Sequence, residues 1–598
     1  MENETKRGYG KWIAAVAVAV VICLLACGII VVAAVHKKDR RGSDAFDAYT
    51  DALFKEDVAL NTVNLHYTLA HPENYGITDY TVSLGDFSID SIKDSYRDLE
   101  KMREDLLTFD RARLTESQRL TYDVLMDYVE TELSIEDLFL YEEVLEPTNG
   151  YQSQFPIILA EYTFRTEKDI EDYLELLSQM DEFYAQLIEF EEEKAKEGLF
   201  MSDAAVEDVI KQCEEFIKEP ENNYMIEVFN DKIDSFEGLS EKEKEEYRER
   251  HDTIITTDVV EGYQILIDGL SELKGSGRNE LGLCYFEDGK EYYEYLIRSK
   301  VGSDASVKKL QRRIEKFIRN YIQDLYDTVW QDIEAYEEVL DYQLPEMEPE
   351  AILEDLMKKM EEDFPEPPQV DYNVKYVHPS MQDFLNPAFY LTTPVDDIQN
   401  NFIYINEKYT GENAGGNERL YTTLVHEGYP GHLYQNAYTA SRELPLVRNL
   451  FSCQGYTEGW ATYVEHEYGY EYAYEELDKP FTDFLAKDAA VSLAIYAYID
   501  LGIHYDGWDR EDVAEFLNGF MDVDEETADE VFYAIVSDPS GYLSYFAGYL
   551  EILELREEAM EELGGDFDIK EFHDFLLSTG PAPFYIIEDY MKEWMKAQ

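Results

Sequence analysis

Basic residues are scarce in this chain. Its 598 residues hold 51 Lys and Arg against 129 Asp and Glu, a formal charge of −78. A surface this acidic repels polyanions, which excludes nucleic acid as a partner. The ordinary consequence of such a charge is solubility. The sharper one is cation binding or steering of basic substrates, and composition leaves both open. Cysteine is scarce too: Cys23, Cys27, Cys213, Cys284 and Cys453. Two of the five lie in an N-terminal apolar segment, and the other three are far apart and odd in number. That pattern excludes a disulfide framework and a cysteine-rich zinc site. There is no internal repeat and no low-complexity tract to divide the chain into linked modules.

What is abundant is apolar and aromatic. Hydrophobic residues make up 45% and aromatics 14%, with 48 tyrosines among them. The chain can bury a large core, and many of the tyrosines suit clefts and half-buried faces, because each joins an apolar ring to a polar tip.

From Trp12 to Val35 there is no charge, no Pro and a single Gly. A helix of that length covers a hydrocarbon layer of roughly 30 Å. Lys6, Arg7 and Lys11 precede it and Lys37, Lys38, Arg40 and Arg41 follow it. The expected organisation is a tail over 1–11, a transmembrane anchor over 12–35, a linker over 36–45 and one large domain over 46–598 outside the cytoplasm. Two alternatives are a lipoprotein, with Leu24-Leu25-Ala26-Cys27 as the lipid-attachment signal, and a cleaved signal peptide.

Beyond the linker the apolar spacing is helical. Phe46, Tyr49, Leu53 and Phe54 recur with that period, as do Tyr173, Leu176, Leu177 and Met180 followed by Phe183, Leu187 and Ile188. Pro345 and the group Pro365, Pro367 and Pro368 bracket a helix near 349–362. Two short segments break the trend: 388–392 and 401–405 are rich in aromatic and β-branched residues, are bounded by turn residues, and read as strands.

The chemistry concentrates just after them. Asn417 can cap a helix that delivers His426 and Glu427 at its end. The common zinc-helix pattern places its two histidines four residues apart on one face. Here the fourth position is Pro430, and the next histidine is His432. On a continuous helix six residues turn about 600° and point the two rings apart. Pro430 and Gly431 make a continuous helix unfavourable, and a break there can swing His432 back beside His426. The spacing permits the pair without proving it. Glu458, in Thr457-Glu458-Gly459-Trp460-Ala461, is the candidate third ligand. It lies on a helix whose buried side carries Trp460 and Val464. Glu465 and His466, two turns on, suit a supporting position behind the ligands. Two His and one carboxylate leave a position open, as catalytic zinc requires.

At these residues the sequence resembles the bacterial family called domain of unknown function 885, which looks like a branch of the zincin metallopeptidases. Its His-Glu-x-x-Pro-Gly-His hallmark is matched by His426, Glu427, Pro430, Gly431 and His432, and its Glu-Gly-Trp-Ala segment by Glu458 to Ala461. Further matches are Pro539 through Tyr545 with Gly548 and Arg556, and Phe572-His573-Asp574 with Leu577 and Gly580. Earlier ones are Leu65 to Leu69 with Tyr75-Gly76-Ile77, and Asp288-Gly289-Lys290 with Tyr292 and Tyr293. The likeness covers nearly everything after the apolar segment. It departs at Leu433, where many relatives have a second His, and at Gly541, where many have Gln and where a substrate contact is weakened.

The resemblance implies a mainly α fold: a large zincin-like helical domain with a small β element next to the active-site helix, joined here to the N-terminal transmembrane helix. It implies a zinc peptidase acting on short peptides, which the N-terminal apolar segment places outside the cytoplasm, with Zn²⁺ held by His426, His432 and Glu458. Glu427 would be the general base. Tyr545, then His504, are the candidate donors to the oxyanion, Tyr292 and Tyr293 candidate cleft residues, and His573 a structural residue. The rival expectations are a non-catalytic peptide-binding protein on the same fold and a metal-dependent hydrolase of other amides or esters.

Overall fold

The scarcity of Gly and Pro and the steady supply of capping residues translate into a helical protein. Thr115 and Gln118 form a capping box at the start of the helix Glu116–Leu133. Ser240 with Glu243 and Asp509 with Asp512 do the same elsewhere; each satisfies backbone N–H groups that the first turn leaves unpaired. The computed structural model describes residues 42–598 apart from 331, 332, 334–338, 340, 341, 343, 383, 384, 386, 410–415 and 452.

The expected helices are present with small shifts. Ser43–Val58 buries Phe46, Tyr49 and Phe54. The apolar run from Tyr173 to Ile188 is two helices, Glu167–Leu177 and Met180–Glu197, separated at Ser178 and Gln179. The proline-bracketed helix is Pro349–Lys359 with a final tight turn to Glu362. The His426 helix begins at Gly416, so Asn417 lies inside it rather than capping it.

The β element has three strands, β1 (Asp371–Tyr376), β2 (Ala388–Leu391) and β3 (Asn400–Ile405), in the order β1-β3-β2. β1 runs parallel to β3, with Asp371 opposite Asn400. β2 runs antiparallel to it, with Ala388 opposite Ile405. The strand β1 was not expected, because Asp371, Asn373 and Lys375 carry little strand propensity.

Two hydrophobic cores meet at this sheet. One is built mostly from the first half of the chain, the other mostly from the second. Strand alternation serves both. Phe389, Phe402 and Tyr404 face the first core, while Ala388, Tyr390, Ile403 and Ile405 face the second.

The expected fold class needs one correction. Among the described residues no helix is long and apolar enough to cross a membrane, so the class is mainly helical with a small three-stranded sheet. The segment 12–35, expected to be the spanning helix, lies outside the described residues.

Candidate metal centre

The His426 helix stops at Glu427, and the next helix, His432–Ala440, starts at His432. Between them Gly428 to Gly431 reverse the chain. A Cβ on Gly431 would sit 1.8 Å from the carbonyl oxygen of His426, so only glycine lets the chain turn this tightly. The carbonyl of Pro430 accepts a hydrogen bond from the buried Trp460 indole at 2.9 Å. The break brings the two imidazole rings to 4.8 Å between centroids, nearly perpendicular.

Glu458 completes the group from the helix Gln454–Val464. Its Oε2 lies 3.6 Å from His426 Nε2 and 3.5 Å from His432 Nε2. These distances are too long for hydrogen bonds, and Oε2 is a buried carboxylate oxygen without a hydrogen-bond partner. Two ligand atoms on one tetrahedral zinc at about 2.0–2.1 Å stand roughly 3.3–3.4 Å apart. The separations therefore fit three ligands aimed at one ion better than three groups aimed at each other. Among the described residues this is the one set of three or more His, Cys, Asp or Glu ligand atoms gathered within 4.8 Å.

Glu465 follows on the same helix face, seven residues after Glu458, and its carboxylate lies 3.1 Å from His426 Nδ1. The two acidic groups thus address opposite nitrogens of one ring, which orients His426 and leaves Nε2 to the site. His466 is buried and stacks on Tyr470 with neither ring nitrogen hydrogen-bonded. Glu427 is buried, and its Oε2 accepts the Tyr390 backbone N–H of β2 at 2.8 Å. No side-chain pattern could have announced that contact, since the donor is main chain.

The electrostatics follow from burial against close partners. Burial would raise the Glu458 carboxyl, but the imidazoles of His432 and His426 hold it down at about 2. Burial would lower His426, yet the carboxylates of Glu458 and Glu465 outweigh it and raise it well above the usual histidine range. Burial raises Glu427, and the two histidines only partly oppose it.

A pH dependence follows. Without metal, His426 carries a proton at neutral pH, whereas a metal takes only the neutral ring, so binding must displace that proton. Affinity is expected to fall about tenfold per pH unit below the raised pKa. Competition titrations between about pH 8 and pH 6 measure this. An affinity flat across that range would contradict the protonation assigned to His426.

Tyr545 reaches the site from the helix Gly541–Leu563. Burial raises the pKa of its hydroxyl, and the neighbouring carboxylates of Glu458 and Glu427 raise it further. Two glycines make this possible. A Cβ on Gly548 would meet the Gly455 carbonyl oxygen at 2.1 Å, and one on Gly459 would meet the Gly548 backbone at 2.5 Å. The Glu458 and Tyr545 helices consequently touch backbone to backbone, the most extensive helix pairing among the described residues.

His504 is not brought to the site. Its Nδ1 accepts the Leu283 N–H at 3.2 Å and its Nε2 donates to the Ile535 carbonyl at 2.9 Å. Burial lowers its pKa to about 4, so it is a neutral core histidine with both nitrogens committed. His573 is likewise internal, between the Asp363 carbonyl and the Tyr463 hydroxyl. Its neighbour Asp574 instead accepts from Tyr438 and Arg442. Tyr293 is fully buried and bonded to Asp500.

Comparison with known proteins agrees with this architecture. Among solved structures, a protein from Colwellia psychrerythraea described as a lipoprotein superposes with a TM-score of 0.78 at 22% identity, covering 93% of this chain and 98% of that one. A second, from Shewanella oneidensis and described as a lipoprotein of unknown function, gives 0.63 at 17% identity, covering 91% and 99%. These likenesses concern the fold. No curated protein matches the chain. The sequence model described as bacterial protein of unknown function DUF885 matches residues 72–591. The chain belongs to that family.

Proposed function

We propose that this protein is a zinc-dependent peptidase that hydrolyses short peptides outside the cytoplasm. The observation that carries the reading is the convergence of His426, His432 and Glu458 on one point with the buried Glu427 beside them. Two imidazoles and one carboxylate are a ligand set of catalytic zinc with a position left over. Zinc bound there supplies a Lewis acid that polarises a carbonyl and brings the pKa of a water down to about 7.

The chain's own groups supply the rest. Glu427 takes the proton from the attacking water and returns it to the leaving amine; its raised pKa suits that exchange. The Tyr390 N–H holds its carboxylate in place. Tyr545 donates its hydroxyl proton in a hydrogen bond to the oxyanion that develops on the carbonyl. β2 lies at an edge of its sheet, where an extended peptide can add main-chain hydrogen bonds. The ligands' burial favours short peptides, since the surface of a folded protein cannot descend to them.

The test is hydrolysis of a peptide panel by zinc-loaded protein, beside matching esters and non-peptide amides. Metal-dependent peptide cleavage is expected; cleavage of esters alone, or of nothing, overturns the reading. Tyr545→Phe is expected to keep its zinc and lose about 10²–10³-fold in kcat, and an unchanged kcat would remove Tyr545 from the mechanism. The location rests on the N-terminal apolar segment, which contains Leu24-Leu25-Ala26-Cys27, with Cys27 as the lipid attachment point. Cys27→Ser is expected to release the protein from the membrane fraction, and full retention there would exclude that anchor.

A further inference from the structure

Where the two hydrophobic cores meet lies a cavity of about 260 Å³. Its walls are largely apolar and aromatic. Tyr96, Phe155 and Ile158 come from the first core, and Val124, Tyr141 and Tyr292 from the second. Set into these walls are the carboxylates of Glu132, Glu142 and Glu143.

The local cations are largely committed. Arg298 pairs with Asp127, Lys300 donates to the Pro539 carbonyl at 3.3 Å, and Lys194 takes Glu143 at 2.6 Å. Glu132 accepts only the Tyr295 hydroxyl, 3.1 Å from each of its oxygens. Glu142 has no ion pair within 4.0 Å among the described residues, and Lys194 and Lys300 act on it only at longer range. Two further lining groups, Thr131 Oγ1 and Gln154 Oε1, have no hydrogen-bond partner although their residues are 5% and 8% exposed. Buried polar atoms left this way are costly unless something that enters satisfies them.

None of the metal-centre residues lines the cavity, but two helices run from its wall to that centre. Gln454 lines the cavity one turn before Glu458, and Gly541 lines it one turn before Tyr545. Residues four apart share a helix face. Cavity wall and metal site are therefore successive turns of the same two faces, about 6 Å apart along each axis.

We propose that this cavity is a substrate pocket for a lysine-type side chain, an ammonium on an aliphatic stem, of the peptide cut at the metal centre. The proposal rests on the peptidase reading above. The apolar walls suit the methylenes, a stem that a bare terminal amine lacks, and Glu132 and Glu142 receive the ammonium. Burial pushes Glu132 up to about 7 and Glu142 up to about 8. Each carboxyl thus holds its proton part of the time and ionises fully when a cation enters, which avoids a standing unpaired charge. The net charge of −78 draws basic peptides toward the molecule.

The test separates pocket from peptidase. n-Hexylamine and 1-hexanol are titrated calorimetrically into the parent protein and into a Glu132→Gln/Glu142→Gln double variant whose thermal transition confirms folding. In the parent the amine is expected to bind about tenfold or more tighter than the alcohol, and in the variant the advantage should fall below about twofold. Equal binding of both in the parent, or binding of neither, overturns the pocket. In parallel, zinc-loaded parent and variant receive end-blocked peptides that differ only in lysine or norleucine. The lysine peptide is expected to be cut about tenfold faster by the parent alone, and cleavage without preference overturns the specificity. Amine binding with no peptide cleaved keeps the ammonium site and overturns the peptidase reading instead.

Discussion

Glu427→Gln is expected to bind zinc as the parent does and to lose about 10²–10⁴-fold in turnover. The substitution keeps the shape of the side chain and removes its capacity to take a proton. Glu427 is not among the three converging ligand atoms, so metal content should not change. The contact with β2 survives in kind, because the amide oxygen of Gln can still accept the Tyr390 N–H. Burial raises the pKa of the native carboxyl, and His432 and His426 oppose that rise. That balance is what a group needs to accept a proton in one step and release it in the next. Metal analysis and a peptide assay on the same preparation decide the matter. A zinc-replete variant with parental turnover would assign the proton transfer to another group.

Glu458→Ala is expected to lose the metal. The loss of affinity should exceed the roughly 10–100-fold that follows when only a hydrogen-bond partner behind a ligand is removed. The carboxylate is the common neighbour of both imidazoles, at 3.6 and 3.5 Å. Without it two nitrogens remain, too few for a closed coordination set. His432→Ala should fail in the same way, which tests the six-residue spacing directly. Elemental analysis of residues 43–598 after exposure to zinc reads the result. Near-stoichiometric zinc in either variant would mean that the ion sits elsewhere or that the three groups form a polar cluster without one. Thermal stability adds a second reading: the parent should gain stability with added zinc, because an ion that binds only the folded state shifts the equilibrium toward it, and the variants should not.

Much of the site was legible in the chain because its signals are local. The pairing of His426 with His432 depends on a helix break, and Pro430 and Gly431 announce breaks within a single turn. The shared face of Glu458 and Glu465 follows from helical period alone, and their contacts with opposite nitrogens of His426 agree with it. The strands near 388 and 401 were visible through their aromatic and β-branched content. β1 was not, because its polar residues are held by pairing with β3 rather than by preference of their own. Tyr545 stood ahead of His504 as candidate donor. Their surroundings differ only in the folded chain: one lies beside Glu458, and the other spends both nitrogens on backbone groups from distant segments.

The sequence by itself determined the helical class, the family, the candidate ligand types and the break that lets two histidines six residues apart converge. All of these rest on interactions within about one helical turn or on a motif readable residue by residue. Tertiary structure alone decided which polar groups surround the ligands, that a strand N–H steadies Glu427, and that a carboxylate-lined cavity continues the faces of the Glu458 and Tyr545 helices. Those outcomes depend on how closely helices remote in the chain can pack. Gly459 and Gly548 set that approach through the space their missing side chains leave, and such a space acquires meaning only when the partner helix is in place.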